Sequence, residues 1–275
     1  MSTLVKRILS SIVFVVLIIG PLFIGARSAY SVYAILGLLT TNELFNLTKK
    51  TGTSPNKPLG FLLFIALYLI IYQVGFGHTE IIYYTLLPTA VIGVAVLFSE
   101  IFRTKGNPFE SISVSLVAPL FTAASFLAIV YFIDYRDDLP QPWMIISVFT
   151  LIWVNDSAAY LLGRKIGKRK LFERLSPNKT IEGSLSGLVF SLAAGAGLSF
   201  IPGMPSLMIM LAFALVCVVT GSLGDLLESR IKRAAGVKDS GVFLPGHGGF
   251  FDRFDAMMLA IPSAILFFEI ALPKI

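Results

Sequence analysis

Charge is scarce in this chain. Asp, Glu, Lys and Arg make up only 14% of its 275 residues, against about 25% in an ordinary soluble domain. A water-soluble globular domain is therefore a poor fit. Cysteine is nearly absent: the one thiol, Cys217, lies in an apolar run, so no intrachain disulfide is possible and oxidative folding is not implied. A lone thiol in such a run behaves as a small hydrophobe. Only two histidines occur. What fills the space is apolar: 56% of residues are hydrophobic and the mean hydropathy is +0.83, the composition of a membrane protein.

A membrane-crossing helix needs about 20 mainly apolar residues. About nine segments qualify, near 8–25, 28–47, 58–77, 81–98, 112–133, 143–162, 184–201, 205–224 and 254–273. Gly, Pro, Ser and Thr occur within several of them, as expected where helices pack closely in lipid. The first follows Lys6 and Arg7 but is longer than a signal-peptide core, so it is expected to stay as a helix. With the N-terminus inside, every cationic residue except Arg27, Arg136 and Lys274 falls on the inner side. That bias predicts a cytoplasmic N-terminus, an odd number of spans and an outside C-terminus. The expected fold class is an all-α polytopic membrane protein.

No internal repeat separates the spans, but the chemistry is uneven. Residues 1–140 read as motif-poor transmembrane helices, about five spans. Residues 141–275 carry two long cytoplasmic polar segments, near 163–183 and 225–253, and form the expected catalytic region. The net charge of +6 suits anionic partners such as lipid phosphates or nucleotides, although basic inner loops alone account for it.

Acids inside apolar spans imply function by default, because burying charge in lipid is costly. Asp156 lies near the inner end of the sixth span, on one helical face with Tyr160 and Gly163. Asp225 follows Gly221, Ser222 and Gly224, small residues that let a helix or ligand approach it. Ser229 and Lys232 extend its face. The stretch GVFLPGHGGFFDRFD, 241–255, adds Asp252 and Asp255, three apart as the last helix begins. Gly246, Gly248 and Gly249 free the backbone there to present N–H groups to an anion. One or two such carboxylates, with substrate phosphates and water, suit Mg²⁺.

The other long segment, GRKIGKRKLFERLSPNKTIEG, clusters Arg164, Lys165, Lys168, Arg169 and Lys170 before a compact motif of Ser176, Lys179, Thr180 and Glu182. It lacks the Walker A spacing. Each feature also has a purely structural reading. The basic cluster would fix topology and meet headgroups, and Asp156 would serve as an ion-pair partner. Asp255 would cap a helix, and His247 would donate a loop hydrogen bond. Glu43, near Lys49 and Lys50, and Glu269, near the outer face, would be interfacial.

Taken together the motifs are specific. Residues 229–255, SRIKRAAGVKDSGVFLPGHGGFFDRFD, resemble the signature of the phosphatidate cytidylyltransferases (CDP-diacylglycerol synthases). The fit runs without a gap through Ser229, Lys232, Arg233, Lys238, Asp239, Gly241, Leu244, Pro245, His247, Gly248, Gly249, Asp252, Arg253 and Asp255. Upstream, DSAAYLLGRKIGKRK and SPNKTIEG are similar to the same family. The resemblance covers about the last 125 residues, while the earlier part matches only as hydrophobic helices.

The resemblance implies transfer of a cytidylyl group from CTP to phosphatidic acid at the inner face of a bacterial cytoplasmic membrane. It makes Asp225 and Asp252 the expected metal ligands, with Asp156 or Asp255 supporting them or serving a second ion. One or two divalent ions, Mg²⁺ first, are the implied cofactor, with room for a second metal of another type. Lys179, Lys238 and Arg253 would neutralise phosphate charge, and Asp239 joins the catalytic set. Ser176, Thr180, Glu182, Arg230, Lys232, Arg233, Gly246, His247, Gly248 and Gly249 would bind substrate. CTP, phosphatidic acid and the bilayer are the implied partners, with no nucleic acid; a face on the first spans would suit a homodimer. Two alternatives stand beside this: a CTP-dependent lipid kinase, releasing CDP, and an ion-coupled transporter. The DGxxAR pattern of CDP-alcohol phosphotransferases is absent.

Overall fold

A computed structural model describes residues 3–75, 82–104, 106–135, 142–241 and 248–272. Each of the nine apolar segments overlaps a long helix: α1 (Thr3–Ile24), α2 (Ala26–Lys50), α3 (Lys57–Gly75), α4 (Tyr83–Ser99), α5 (Pro108–Tyr135), α6 (Trp143–Ile166), α7 (Ile181–Leu198), α8 (Leu207–Ala234) and α10 (Met257–Ala271). A single helical turn, α9 (Phe251–Phe254), precedes the last. Among the described residues six helices are long and apolar enough to cross a membrane, and α1 and α3 contribute shorter apolar stretches. The chain is a multi-pass, helical membrane protein. Its only β-sheet among the described residues is an antiparallel hairpin, β1 (Lys170–Phe172) with β2 (Ser176–Thr180).

The helices end where the sequence changes character. α7 is capped by Thr180, whose hydroxyl accepts the Gly183 N–H at 3.1 Å. This satisfies one of the N–H groups that a helix start leaves without an internal partner. α8 does not stop at the end of its apolar run. It continues through DLLESRIKRA to Ala234, so Asp225 lies within a helix and not at the mouth of a loop. Leu, Glu, Arg and Lys are good helix formers, and a polar face is no obstacle once the helix leaves the apolar layer.

One compact unit comprises residues 1–135 with 231–253. Within it α2 packs against α5 and α1, and α3 against α4 and α5. Tyr33 donates from α2 to the Ile18 carbonyl of α1 at 2.8 Å, and Tyr68 of α3 donates to the Tyr30 carbonyl of α2 at 2.8 Å. Thr41 and Thr122 share a buried 2.6 Å hydrogen bond between α2 and α5. Gly37 admits the Phe64 ring, which would lie 2.5 Å from a Cβ placed there. By contrast α4 turns Leu86, Leu87, Val91, Val94 and Phe98 outward, the surface expected of a helix solvated by acyl chains.

The second unit comprises residues 136–230 with 254–275. Its main contact is α6 against α7, with α10 and the hairpin also against α6. Small residues set this spacing. A Cβ at Gly183 would lie 2.8 Å from the Ala159 carbonyl oxygen and 3.0 Å from Gly163 Cα, and one at Gly187 would lie 2.5 Å from Asn155 Oδ1. Close backbone approach of this kind supplies packing in lipid, where no hydrophobic force drives helices together. Gly195 meets Ala214 and Met210 of α8 in the same way, and Phe213 of α8 packs against Phe268 of α10 with centroids 4.8 Å apart and the rings tilted by 51°.

Candidate active site

In the second unit, the α6–α7 crossing and the hairpin leave a cavity of about 230 Å³. Asn155, Asp156 and Tyr160 line it from α6, Lys179 and Thr180 from β2, and Asp225 from α8. The sequence places Asp156 and Tyr160 on one face, and that face forms the cavity wall. Asn155 fixes its neighbour, with Nδ2 donating to Asp156 Oδ1 at 3.1 Å. Lys179 is ion-paired with Asp225, which balances one negative charge at the cavity edge while leaving both side chains partly accessible.

Asp225 is shared with a second feature. Carboxylate oxygens of Asp225, Glu228 and Asp255 all lie within 4.8 Å of one another. Gly224 makes this approach possible, because its missing side chain leaves α8 against the backbone of Asp255 and Ala256. Asp255 does not continue a helix with Asp252. α9 ends at Phe254, and Asp255 Oδ1 accepts the Ala256 N–H at 2.7 Å where α10 is about to begin. Three carboxylates this close repel one another unless a cation or protons balance them. An all-oxygen donor set of this kind suits a hard divalent ion such as Mg²⁺.

The hairpin base is held by Glu182. Its Oε2 accepts the backbone N–H groups of Lys168 and Arg169 at 3.0 and 3.1 Å, and its Oε1 meets Arg169 Nε at 3.3 Å. Lys170 Nζ donates to the Pro177 carbonyl at 2.6 Å. Glu182 and Lys170 thus order the basic segment internally. Ser176 opens β2, and Arg164, Lys165, Lys168 and Arg230 are exposed.

The first unit holds the rest of the signature. Asp252 is a hub: Oδ1 accepts from Lys232 Nζ at 2.7 Å, and Oδ2 accepts from Gly249 N at 2.7 Å and Ser240 N at 2.8 Å, with Ser240 Oγ 3.1 Å away. Gly248 has φ +81°, and a Cβ on it would sit 2.5 Å from Asp252 Oδ2, so glycine is required there on two counts. Lys232, expected on the Asp225 face, turns to Asp252 instead. Lys238, Asp239 and Arg233 are exposed, Arg233 donating to the Val237 carbonyl at 3.1 Å. Arg253 is half-buried. Gly246 and His247 lie outside the described residues.

Sequence reasoning missed Glu228, Asn155 and Glu43. Glu228 follows Asp225 by three residues, a spacing that puts both on one helical face. Asn155 is marked only by being the neighbour of Asp156. Glu43 carries no local signal; its partners lie about 200 residues away.

Comparison with known proteins gives a consistent picture. Residues 5–271 match the model of the cytidylyltransferase family. The chain is 32% identical over 259 residues to the phosphatidate cytidylyltransferase of Staphylococcus haemolyticus, covering 93% of this chain and 95% of that one. It is 32% identical over 270 residues to the Bacillus subtilis phosphatidate cytidylyltransferase, covering 97% of each. Against the Staphylococcus aureus phosphatidate cytidylyltransferase, identity is 48% over 119 residues, covering 43% of this chain and 46% of that one.

Proposed function

The chain belongs to the cytidylyltransferase family, and we propose that it transfers the cytidylyl group of CTP to phosphatidic acid. A phosphatidate oxygen attacks the α-phosphorus of CTP, the bond from that phosphorus to the β-phosphate bridging oxygen breaks, and pyrophosphate leaves with the electron pair. CDP-diacylglycerol is the other product. Phosphatidate is already ionised at neutral pH, so no general base has to remove a proton. Both reactants are strongly anionic, and the task of the protein is to position them and balance charge.

The observation that carries this reading is the polar cavity lined by Asp156, Lys179 and Asp225, with the Asp225–Glu228–Asp255 carboxylates at its edge. Lys179 is the cation placed to meet nucleotide phosphate when it exchanges its pairing with Asp225. Asn155 and Asp156 offer hydrogen bonds within the cavity. Asp225, Glu228 and Asp255 would hold Mg²⁺, which when bound supplies charge neutralisation to phosphate oxygens. Asp252 orders the turn that follows Gly248, and Arg253 and Lys238 remain the expected phosphate partners of that loop. Nine spans read from the apolar runs, an N-terminus on the cytoplasmic side and a site at the inner membrane surface are supported by the charge bias of the loops. Such a site would receive CTP from water and phosphatidate from lipid.

The test uses purified protein in phosphatidate-containing micelles with CTP and Mg²⁺, assaying pyrophosphate and CDP-diacylglycerol together. Equal amounts of both are expected, with loss on adding EDTA and in Asp225→Asn. Mn²⁺ binding followed by electron paramagnetic resonance should weaken in Asp225→Asn and Asp255→Asn. CDP without pyrophosphate would identify a kinase. Unaltered Mn²⁺ affinity in both variants would remove the metal from these carboxylates.

A further inference from the structure

α2 belongs to the part of the chain without catalytic motifs, yet it sends one carboxylate into the signature loop. Glu43 is only 8% exposed. Its Oε1 accepts the Phe250 N–H at 2.9 Å, and its Oε2 accepts the Phe251 N–H at 2.9 Å and the Ser240 hydroxyl at 2.7 Å. Burying a carboxylate is costly unless donors compensate it. Here three donors converge, all from the two ends of one loop.

The signature itself is shaped around this side chain. A Cβ at Gly241 or at Gly249 would lie 2.6 Å from Glu43 Oε1, so neither position accepts a side chain while Glu43 is in place. The Ser240 hydroxyl lies between two carboxylates, 2.7 Å from Glu43 Oε2 and 3.1 Å from Asp252 Oδ2. Glu43 and Asp252 together tie Ser240 to residues 249–251. The segment between those ends carries Gly246 and His247.

We infer that Glu43 is a positioning residue for the reaction, fixing residues 240–241 and 249–251 of the signature for contact with CTP. This rests on the proposed reaction and on reading its glycine-rich signature, Gly246 to Gly249, as the backbone that approaches the nucleotide. Gln in its place presents one acceptor oxygen and one NH₂ group to three donors, so at least one contact is replaced by a donor–donor clash. Asp keeps the charge but is one methylene short of reaching both ends.

The experiment compares the full chain with Glu43→Gln, Glu43→Asp and Thr41→Val in micelles, varying CTP and phosphatidate separately. Thr41→Val removes a buried hydrogen bond from the same helix without touching the loop. Hydrogen bonds to a charged group are individually strong, and losing one predicts a rise of about tenfold or more in KM for CTP in Glu43→Gln. The KM for phosphatidate should stay within about twofold of the parent, and Glu43→Asp should fall between parent and Gln. Labelling of the buried Cys217 shows that each variant is folded at the assay temperature. If Glu43→Gln cannot be recovered folded, Ser240→Ala, which removes one of the three donors, should show the same CTP-selective change on a smaller scale. Equal changes in both KM values, or a CTP effect matched by Thr41→Val, would reduce Glu43 to a structural role while leaving the proposed reaction intact. A parent protein that makes neither product would overturn the reaction itself.

Discussion

Replacing Gly183 by Ala tests the tightness of the α6–α7 crossing. The added Cβ would lie 2.8 Å from the Ala159 carbonyl oxygen, 2.9 Å from Thr180 Oγ1 and 3.0 Å from Gly163 Cα. Two of these neighbours are backbone, so the helices must part by roughly half an ångström to restore ordinary contact. Overpacking of this kind costs about 1–3 kcal/mol. Disturbing the Thr180 cap, which bonds the same residue, adds about 1 kcal/mol. Ala regains roughly 0.5–1 kcal/mol over Gly in a helix, leaving a net loss of about 2 kcal/mol. For a chain of this size that is a fall of roughly 4–8 °C in Tm.

The assay is thermal exposure of Cys217, the sole and buried thiol, to a thiol-reactive dye in detergent. Gly197→Ala in the same helix is the reference, since nothing lies within 4 Å of a Cβ there. That variant should unfold within about 2 °C of the parent. Equal unfolding temperatures for the two variants would refute the close crossing. The cavity shares Gly183 and Thr180, so Gly183→Ala should also weaken CTP use, and Gly197→Ala should not.

Two further outcomes are expected. Lys179→Met removes the cation paired with Asp225 and should raise KM for CTP by about tenfold. Lys170→Met, whose ammonium bonds the Pro177 carbonyl, should change it far less, and parallel initial-rate curves compare the two. Glu182→Gln takes the charge from an acceptor of two backbone N–H groups, which should speed tryptic cleavage at Lys168 and Arg169 in folded protein; an unchanged digestion rate would contradict that anchoring role.

The helices were legible because lipid solvation demands long apolar runs, and each run overlaps a helix. The end of α8 was not, because residues 225–234 are polar and read as loop, while helix-forming Leu, Glu, Arg and Lys carry the backbone on to Ala234. The hairpin was hidden for a similar reason. KLF and SPNKT show no alternating apolar pattern, and pairing of Lys170 with Thr180 depends on a turn between them. The candidate site was half legible. Asp156, Lys179 and Asp225 stand out by type and place, and they meet around one cavity. Glu228 sits in a stretch whose charges look like a solvated face. Glu43 reads as interfacial beside Lys49 and Lys50 in the sequence, since a contact between residues 43 and 250 leaves no mark on either neighbourhood. Lys232 illustrates the limit of helical spacing: it lies on the face of Asp225, but its long side chain reaches a different acid.

The Glu43 contacts also impose an order in time. Ser240, Phe250 and Phe251 lie 197, 207 and 208 residues downstream. At about 5–20 residues per second, a ribosome needs on the order of ten to forty seconds to travel that distance. Throughout that interval α2 carries an acidic side chain whose eventual donors have not been made. The three contacts therefore form only when nearly the whole chain has been synthesised. A polypeptide released early would have most of its helices but none of the three donors that meet Glu43.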